Sequence, residues 1–447
     1  MSTYKLAGSD DSDDGPLDQP PPATTLAGRR RDARAAAADA DRKTGTAKTP
    51  RKQTADHPPT ERVAGIDAYR GLVMLLMMAE VLHLARVAEA FPDSAVWTWL
   101  GFHQTHAAWT GVSIHDLIQP SFSFLVGVAI PFSIASRLRR GQGKVRLTLH
   151  AVWRAVVLVL LGVMLRSVGR GQTYWTFEDT LSQIGLGYLP LFLIALAPGW
   201  LAWISIGVIL TGYWGAFVMH PLPADHIYHD PQTRELIPLA GAAGLEAHFN
   251  NPSNLAQTFD RWFLNLFARA EAWTGHPGGY ATLSFIPTLA TMLFGLIAGR
   301  WLQLRKSAAT KLGRLVGLGL LTLTIGWGLD WANLCPIVKR VWTPAWTLYS
   351  AGWCLIALAA FYLVCDVIGF QIWAWPLRVV GANSIVAYVI AHLWEGFFAF
   401  TIETHFGSDL YDAFGPSYAP LVRGGLVLAA YFGVLWWLYH RRIFIKV

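Results

Sequence analysis

The sequence predicts an all-α, polytopic membrane protein with about ten transmembrane helices. Three observations carry that prediction. Of 447 residues, 53% are hydrophobic and only 15% charged, whereas a soluble chain carries about 25% charged residues. Apolar runs near the ~20 residues needed to cross a hydrocarbon core recur along the chain. The 21 Trp and 23 Phe suit aromatic belts at two membrane interfaces. Cys335, Cys354 and Cys365 form no CxxC pair and predict no disulfide framework. The net charge of +7 does not point to nucleic acid, because the basic residues cluster in short loops between apolar runs.

Residues 1–62 read as a separate N-terminal tail. The stretch "GSDDSDDGPLDQPPPATT" is acidic and Pro-rich, and "GRRRDARAAAADADRKTGTAKTPRK" is Ala-rich and basic. Neither has an apolar face to bury, which predicts disorder. Neither contains the apolar core of a signal peptide. The basic half lies just before the first apolar run, which predicts a cytoplasmic N-terminus. Residues 63–447 read as one transmembrane domain.

Ten spans are expected, at 71–89, 117–136, 150–168, 183–198, 200–219, 282–302, 314–331, 346–367, 379–398 and 420–438. Pro198-Gly199-Trp200 marks a tight turn joining the fourth and fifth. With ten crossings, the basic segments "RLRRGQGKVR", "RWLQLRKSAATKLGR" and "HRRIFIKV" fall on the same side as the tail. The 89–116 loop contains no Lys or Arg. Both termini are therefore expected in the cytoplasm, with the loops at 89–116 and 220–281 outside.

The stretch "FHQTHAAWTGVSIHDLIQPSFSFLVG" (102–127) concentrates ionisable groups at the edge of a span. Ser113-Ile114-His115-Asp116 fits a capping box, which would give Asp116 a local role at a helix start. Thr110-Gly111 also permits a turn that brings Asp116 back to His106. Without it, ten helical residues would separate the two by about 15 Å. Pro120 cannot bond the Asp116 carbonyl four residues earlier. A histidine beside a carboxylate is the arrangement a general base needs. Cap and base-orienting residue remain alternative roles for Asp116. Trp109 reads as an interfacial anchor or a binding residue.

Other polar groups lie within spans. Glu80 and His83, three apart, share a helix face; they are either a pair holding helices together or a functional site. Arg154 either binds a phosphate or snorkels to the interface. On the ninth span, Asn383 is a candidate hydrogen-bonding group and Ser384 a candidate that equally well back-bonds to its own helix. His392 and Glu395 lie toward the exterior, where they would meet an acceptor.

"HAAWTGVSIHDLIQPSFSFLVGVAIPFS" resembles the signature of the heparan-alpha-glucosaminide N-acetyltransferase family, including its bacterial membrane branch. The pattern His-x-x-Trp-x-Gly, then Asp-Leu-x-x-Pro-x-Phe-x-Phe-x-x-Gly, is met by His106, Trp109, Gly111, Asp116, Leu117, Pro120, Phe122, Phe124 and Gly127. "IDAYRGL" upstream, "VVGANSIVAYV" downstream and the ending "YHRRIFIKV" are similar to further family segments, and the likeness covers about 62–447. The resemblance implies a membrane acyltransferase that moves acetyl from cytoplasmic acetyl-CoA to the amine of a glucosamine-like sugar on the far side. It implies no metal, and His106 and Asp116 match the family's active-site histidine and its neighbouring aspartate. The apolar runs place the protein in a lipid bilayer as a multi-pass protein; with neither a lumenal domain nor a signal legible in the sequence, a bacterial plasma (inner) membrane is expected, and a homodimer is compatible with this reading. Three positions depart from the pattern: Glu80-Val81 stands where Asn is usual, Ser182-Gln183 where Gln-Arg is, and Pro277-Gly278-Gly279 where Pro-Glu-Gly is. Two other classes fit the residues. A sugar or small-molecule permease suits embedded carboxylates, although no paired repeat halves are visible. A metal-dependent enzyme would use His103, His106, His115 and Asp116.

Overall fold

In hydrocarbon a backbone amide has no water to bond, so spanning segments fold as helices whose amides bond within the segment. The computed structural model describes residues 63–222, 227–229, 236–238 and 244–445. The chain divides into Met1–Pro59 and Thr60–Val447, and the described residues lie in the second unit. The disordered tail expected over 1–62 lies outside them.

In chain order the helices are α1 (Ala64–Met78), α2 (Leu84–Ala90), α3 (Ala95–Gln104), α4 (Ile118–Arg139), α5 (Lys144–Ser167), α6 (Thr180–Leu196), α7 (Gly199–Val218) and α8 (Leu255–Phe263). They continue with α9 (Phe285–Gln303), α10 (Ala308–Trp331), α11 (Pro344–Tyr362), α12 (Trp375–Ala382), α13 (Ser384–Leu393), α14 (Glu395–Phe406) and α15 (Ala419–His440). A small antiparallel hairpin, Ile227–His229 with Leu236–Pro238, lies in the 220–281 loop. Among the described residues seven helices are long and apolar enough to cross a membrane, or nine if each of two bent pairs is one span; α6 is a shorter apolar helix. The protein is a multi-pass membrane protein whose candidate spans are all helical.

Two of the spans expected to be continuous are broken. The first bends by 42° where His83 takes a left-handed conformation (φ 49°). Glu80 and His83 therefore do not share a face: His83 Nε2 lies 3.1 Å from Glu395 Oε1. The ninth bends by 70° at Asn383, which is fully buried. Its side chain donates to the carbonyl of Ile443 (3.0 Å) and accepts from the amide of Ile445 (2.9 Å). That span also ends at Leu393, so His392 and Glu395 lie on different helices.

α4 packs closely against α9. A Cβ built on Gly127 would sit 1.9 Å from the Met292 carbonyl oxygen, and one on Gly295 would sit 2.0 Å from that of Phe124. Lipid gives helices no hydrophobic reason to associate, so close packing through small residues supplies the attraction. At the far end of α9, the Arg300 guanidinium donates to the carbonyls of Ile194, Ala195 and Ala197, closing the C-terminus of α6. Gly127→Ala is expected to destabilise the protein by about 3 kcal/mol, the upper range for overpacking, measured as thermal unfolding in detergent. A melting temperature equal to wild type would show that the helices part freely.

Candidate active site

The site begins with a turn. Gly111 has φ 105°, a conformation open to glycine. Its amide donates to the Ile337 carbonyl (3.3 Å), and Thr110 bridges Val338 in antiparallel fashion. The first loop is thereby stapled to residues 332–343, and the same turn returns Asp116 to His106. His106 Nδ1 lies 2.8 Å from Asp116 Oδ1.

Asp116 is 1% exposed and works with both oxygens. Oδ2 accepts from the amides of Ala107 (3.1 Å) and Ser113 (3.0 Å), and Ser113 Oγ accepts from the Asp116 amide (3.2 Å). This is the reciprocal capping box. Oδ1 faces His106 and also Lys339 Nζ at 3.2 Å. Cap and base-orienting contact, alternatives in the sequence, occur together on one carboxylate. An ionised carboxylate only accepts, so this contact favours a proton on Nδ1, whereas the Lys339 ammonium 3.0 Å from the same nitrogen favours one on Nε2.

Lys339 is the residue that sequence reasoning missed. Its ammonium is buried and lies 3.0 Å from His106 Nδ1. Burial pushes it below its ordinary pKa, and Asp116 pulls the other way. One signal was available. Lys339-Arg340 is a basic pair in a loop that the positive-inside pattern assigns to the exterior. Arg340 donates to the carbonyls of Ala107 (3.2 Å) and Gly278 (2.5 Å), tying three loops together.

His106, Lys339, Glu80, His115, Tyr280 and His392 line a cavity of about 320 Å³. Its other wall includes Arg166, Glu178 and Asp179, none of them expected from sequence. The His276 ring packs edge-on against Tyr280; burial pushes His276 down to about 4 and raises the Tyr280 phenol. Glu80, its side chain 66% exposed, lies 4.0 Å from His115 Nε2. His392 stacks on Tyr388 and bonds its carbonyl (2.9 Å). Trp109 is buried in an apolar cluster with Phe249, Trp342 and Trp346. Gln183, where the resemblance leads one to expect Arg, is held in a neutral network with Gln119 and Thr288, both at 3.0 Å. Among the described residues no three His, Cys, Asp or Glu side chains form a group that could hold a metal ion.

A second cavity, of about 620 Å³, opens at the other end of α4. It is lined by Arg70, Arg137, Arg140, His150 and Arg154, and Ser384 is also in its wall. The Arg154 guanidinium lies over the Tyr188 ring at 4.9 Å, and its buried Nε has no hydrogen-bond partner among the described residues. Ser384 donates to its own helix at the Gly381 carbonyl (2.9 Å). Phe122 lines both cavities. Asn383 instead bonds the backbone near the C-terminus.

No family model matches the chain. The chain is similar to the human (Homo sapiens) heparan-alpha-glucosaminide N-acetyltransferase, 25% identical over 390 residues that cover 77% of this chain and 54% of that protein. The mouse (Mus musculus) protein of the same name is 23% identical over 395 residues, 78% of this chain and 57% of that one. These relatives support the family resemblance. The chain spans little more than half the length of either.

Two outcomes test the site's electrostatics. Asp116→Asn strands a buried ammonium and should cost about 3 kcal/mol of stability, the scale for breaking one partner of a buried pair. Adding Lys339→Met should recover much of that loss. Additive losses in thermal melts of the two single variants and the double variant would show that the pair is not coupled. In the neighbouring loop, burial raises Asp260, which accepts from the Thr282 amide (2.8 Å), to about 7. A carboxyl with a raised folded pKa gives stability that is present in acid and lost as pH climbs from about 4 through 7. The melting difference between wild type and Asp260→Asn should shift with pH across that window; a constant difference would show that Asp260 does not titrate there.

Proposed function

We propose that the protein is a transmembrane N-acetyltransferase that moves an acetyl group from acetyl-CoA to the amine of an amino sugar. The observation that carries this reading is the placement of two unlike cavities along one helix. At one end five basic side chains, Arg70, Arg137, Arg140, His150 and Arg154, line a cavity suited to a polyphosphate. At the other stands a histidine oriented by a buried carboxylate. The cavities meet at Phe122. Gln119 and Arg137 are 18 residues apart on α4, about 27 Å of helix, so the donor must be long, with phosphates at one end and the acyl thioester at the other. The two relatives are named as N-acetyltransferases, which supports the same reaction class.

In this reading the basic cavity faces the cytoplasm, with both chain termini, and His106 faces the exterior. The amine attacks the thioester carbonyl, the C–S bond breaks, and the amine proton passes through His106 Nε2 to the leaving thiolate. The same nitrogen serves if acetyl is first carried on the ring and then passed to the amine. Asp116 orients the ring. Lys339 ion-pairs with Asp116 and keeps that carboxylate ionised. Trp109 acts indirectly, by packing the loop against Gly279. Asn383 and His392 shape the bent span that closes both cavities.

Release of free CoA by purified protein in detergent, with acetyl-CoA and glucosamine, tests the reading. His106→Ala should abolish release while the protein still melts cooperatively; full transfer by that variant would end the mechanism. Arg154→Ala should raise KM for acetyl-CoA about tenfold, the worth of one charge-assisted hydrogen bond. An unchanged KM would place the phosphates elsewhere.

A further inference from the structure

Two buried carboxylates that the proposed chemistry does not use, Glu178 and Asp179, line the His106 cavity; the second oxygen of Asp179 is fully buried and has no hydrogen-bond partner among the described residues, so it is sealed from a ligand. Glu178 is 7% exposed. Its Oε2 accepts from Thr176 Oγ1. Its Oε1 meets Arg166 Nε at 3.8 Å and His276 Nε2 at 4.0 Å, both beyond hydrogen-bond range. Oε1 therefore has only these two long-range ion pairs as side-chain partners among the described residues. The backbone is not what requires this side chain. The next residue, Asp179, caps α6 by accepting from the amides of Leu181 (2.9 Å) and Ser182 (3.0 Å). The Glu178 carbonyl is itself fixed by Gln183 Nε2 (3.1 Å).

We propose that Glu178 is the amine-recognition residue of the acceptor subsite, its Oε1 taking the ammonium of an amino sugar before transfer. This rests on the acetyltransferase reading and names how its acceptor is selected. Asp116 lies behind His106 and Lys339, outside the cavity lining, and is already neutralised by Lys339 at 3.2 Å. Glu80 also lines the cavity, but it is 66% exposed, and an exposed carboxylate gives a weak, screened pair. Glu178 is screened by protein, where a charge-assisted hydrogen bond is stronger. Its neighbours do not satisfy it: Arg166 is half exposed at long range, and His276, pushed down to about 4 by burial, is neutral at pH 7. Burial raises the Glu178 carboxyl above its ordinary range, a cost that an incoming ammonium relieves. Acetylation converts the ammonium to a neutral amide and removes the pairing charge. The subsite thus holds the substrate and lets the product go.

Isothermal titration of the full chain in detergent with glucosamine and with N-acetylglucosamine tests this without turnover. Wild type should prefer glucosamine by about tenfold or more. Glu178→Gln should bring the ratio close to one while leaving KM for acetyl-CoA unchanged. Glu178→Asp, which keeps the charge on a shorter stem, should hold an intermediate preference, and it carries the test if the Gln variant does not fold. No preference in wild type, an unchanged ratio in either variant, or a collapse seen in Glu80→Gln instead would overturn the proposal. Preferential binding without CoA release would sink the transferase reading and leave the subsite standing. CoA release with an unchanged ratio in Glu178→Gln would do the reverse.

Discussion

Everything at the histidine end of the molecule depends on one buried carboxylate. Asp116 closes the turn through Gly111, starts the helix that reaches the opposite cavity, orients the ring of His106 and balances the charge of Lys339. A carboxylate this buried is stable only when its lone pairs are filled. Here backbone amides occupy one oxygen, and two side chains occupy the other. The capping contacts hold the carboxylate still, and the imidazole is oriented by a group that cannot itself rotate away. The position of the imidazole is thus inherited from helix capping.

The electrostatic layout follows the long axis of α4. One end is cationic, with arginines from several helices around a common space. The other is mixed, with a neutralised Asp116–Lys339 pair on one side and an incompletely satisfied Glu178 on the other. A polyanion is attracted to the first and a small cation to the second. The helix between them cannot shift freely, because its backbone is in contact with α9 at Gly127 and Gly295. The two ends are therefore held at constant separation.

Much of this was legible in the chain. Spans follow from apolar run length, a backbone constraint that operates locally. The closeness of His106 and Asp116 follows from a glycine turn and a capping pattern within ten residues. Lys339 was not legible as a site residue because 233 residues separate it from His106, and only its anomalous position among the loops marked it. Glu178 sits in a short connection whose composition does not mark it, and only its burial at the cavity wall sets it apart. The kinks at His83 and Asn383 escaped because both residues are tolerated in helices, and each break is set by a partner far along the chain. The pairing of Glu80 with His83 failed for that reason.

The bend at Asn383 has a consequence for how the protein is made. A broken span leaves polar backbone and a fully buried amide side chain inside the fold, where they are costly unless bonded. The groups that satisfy Asn383 are the backbone of Ile443 and Ile445, beyond the next span, α15. During vectorial insertion the ninth span therefore enters the bilayer before its polar break has partners. It stays metastable until α15 has crossed and turned the following segment back underneath it. Completion of the last crossing is the step that locks the one before it, so α12 to α15 assemble as a unit rather than one helix at a time.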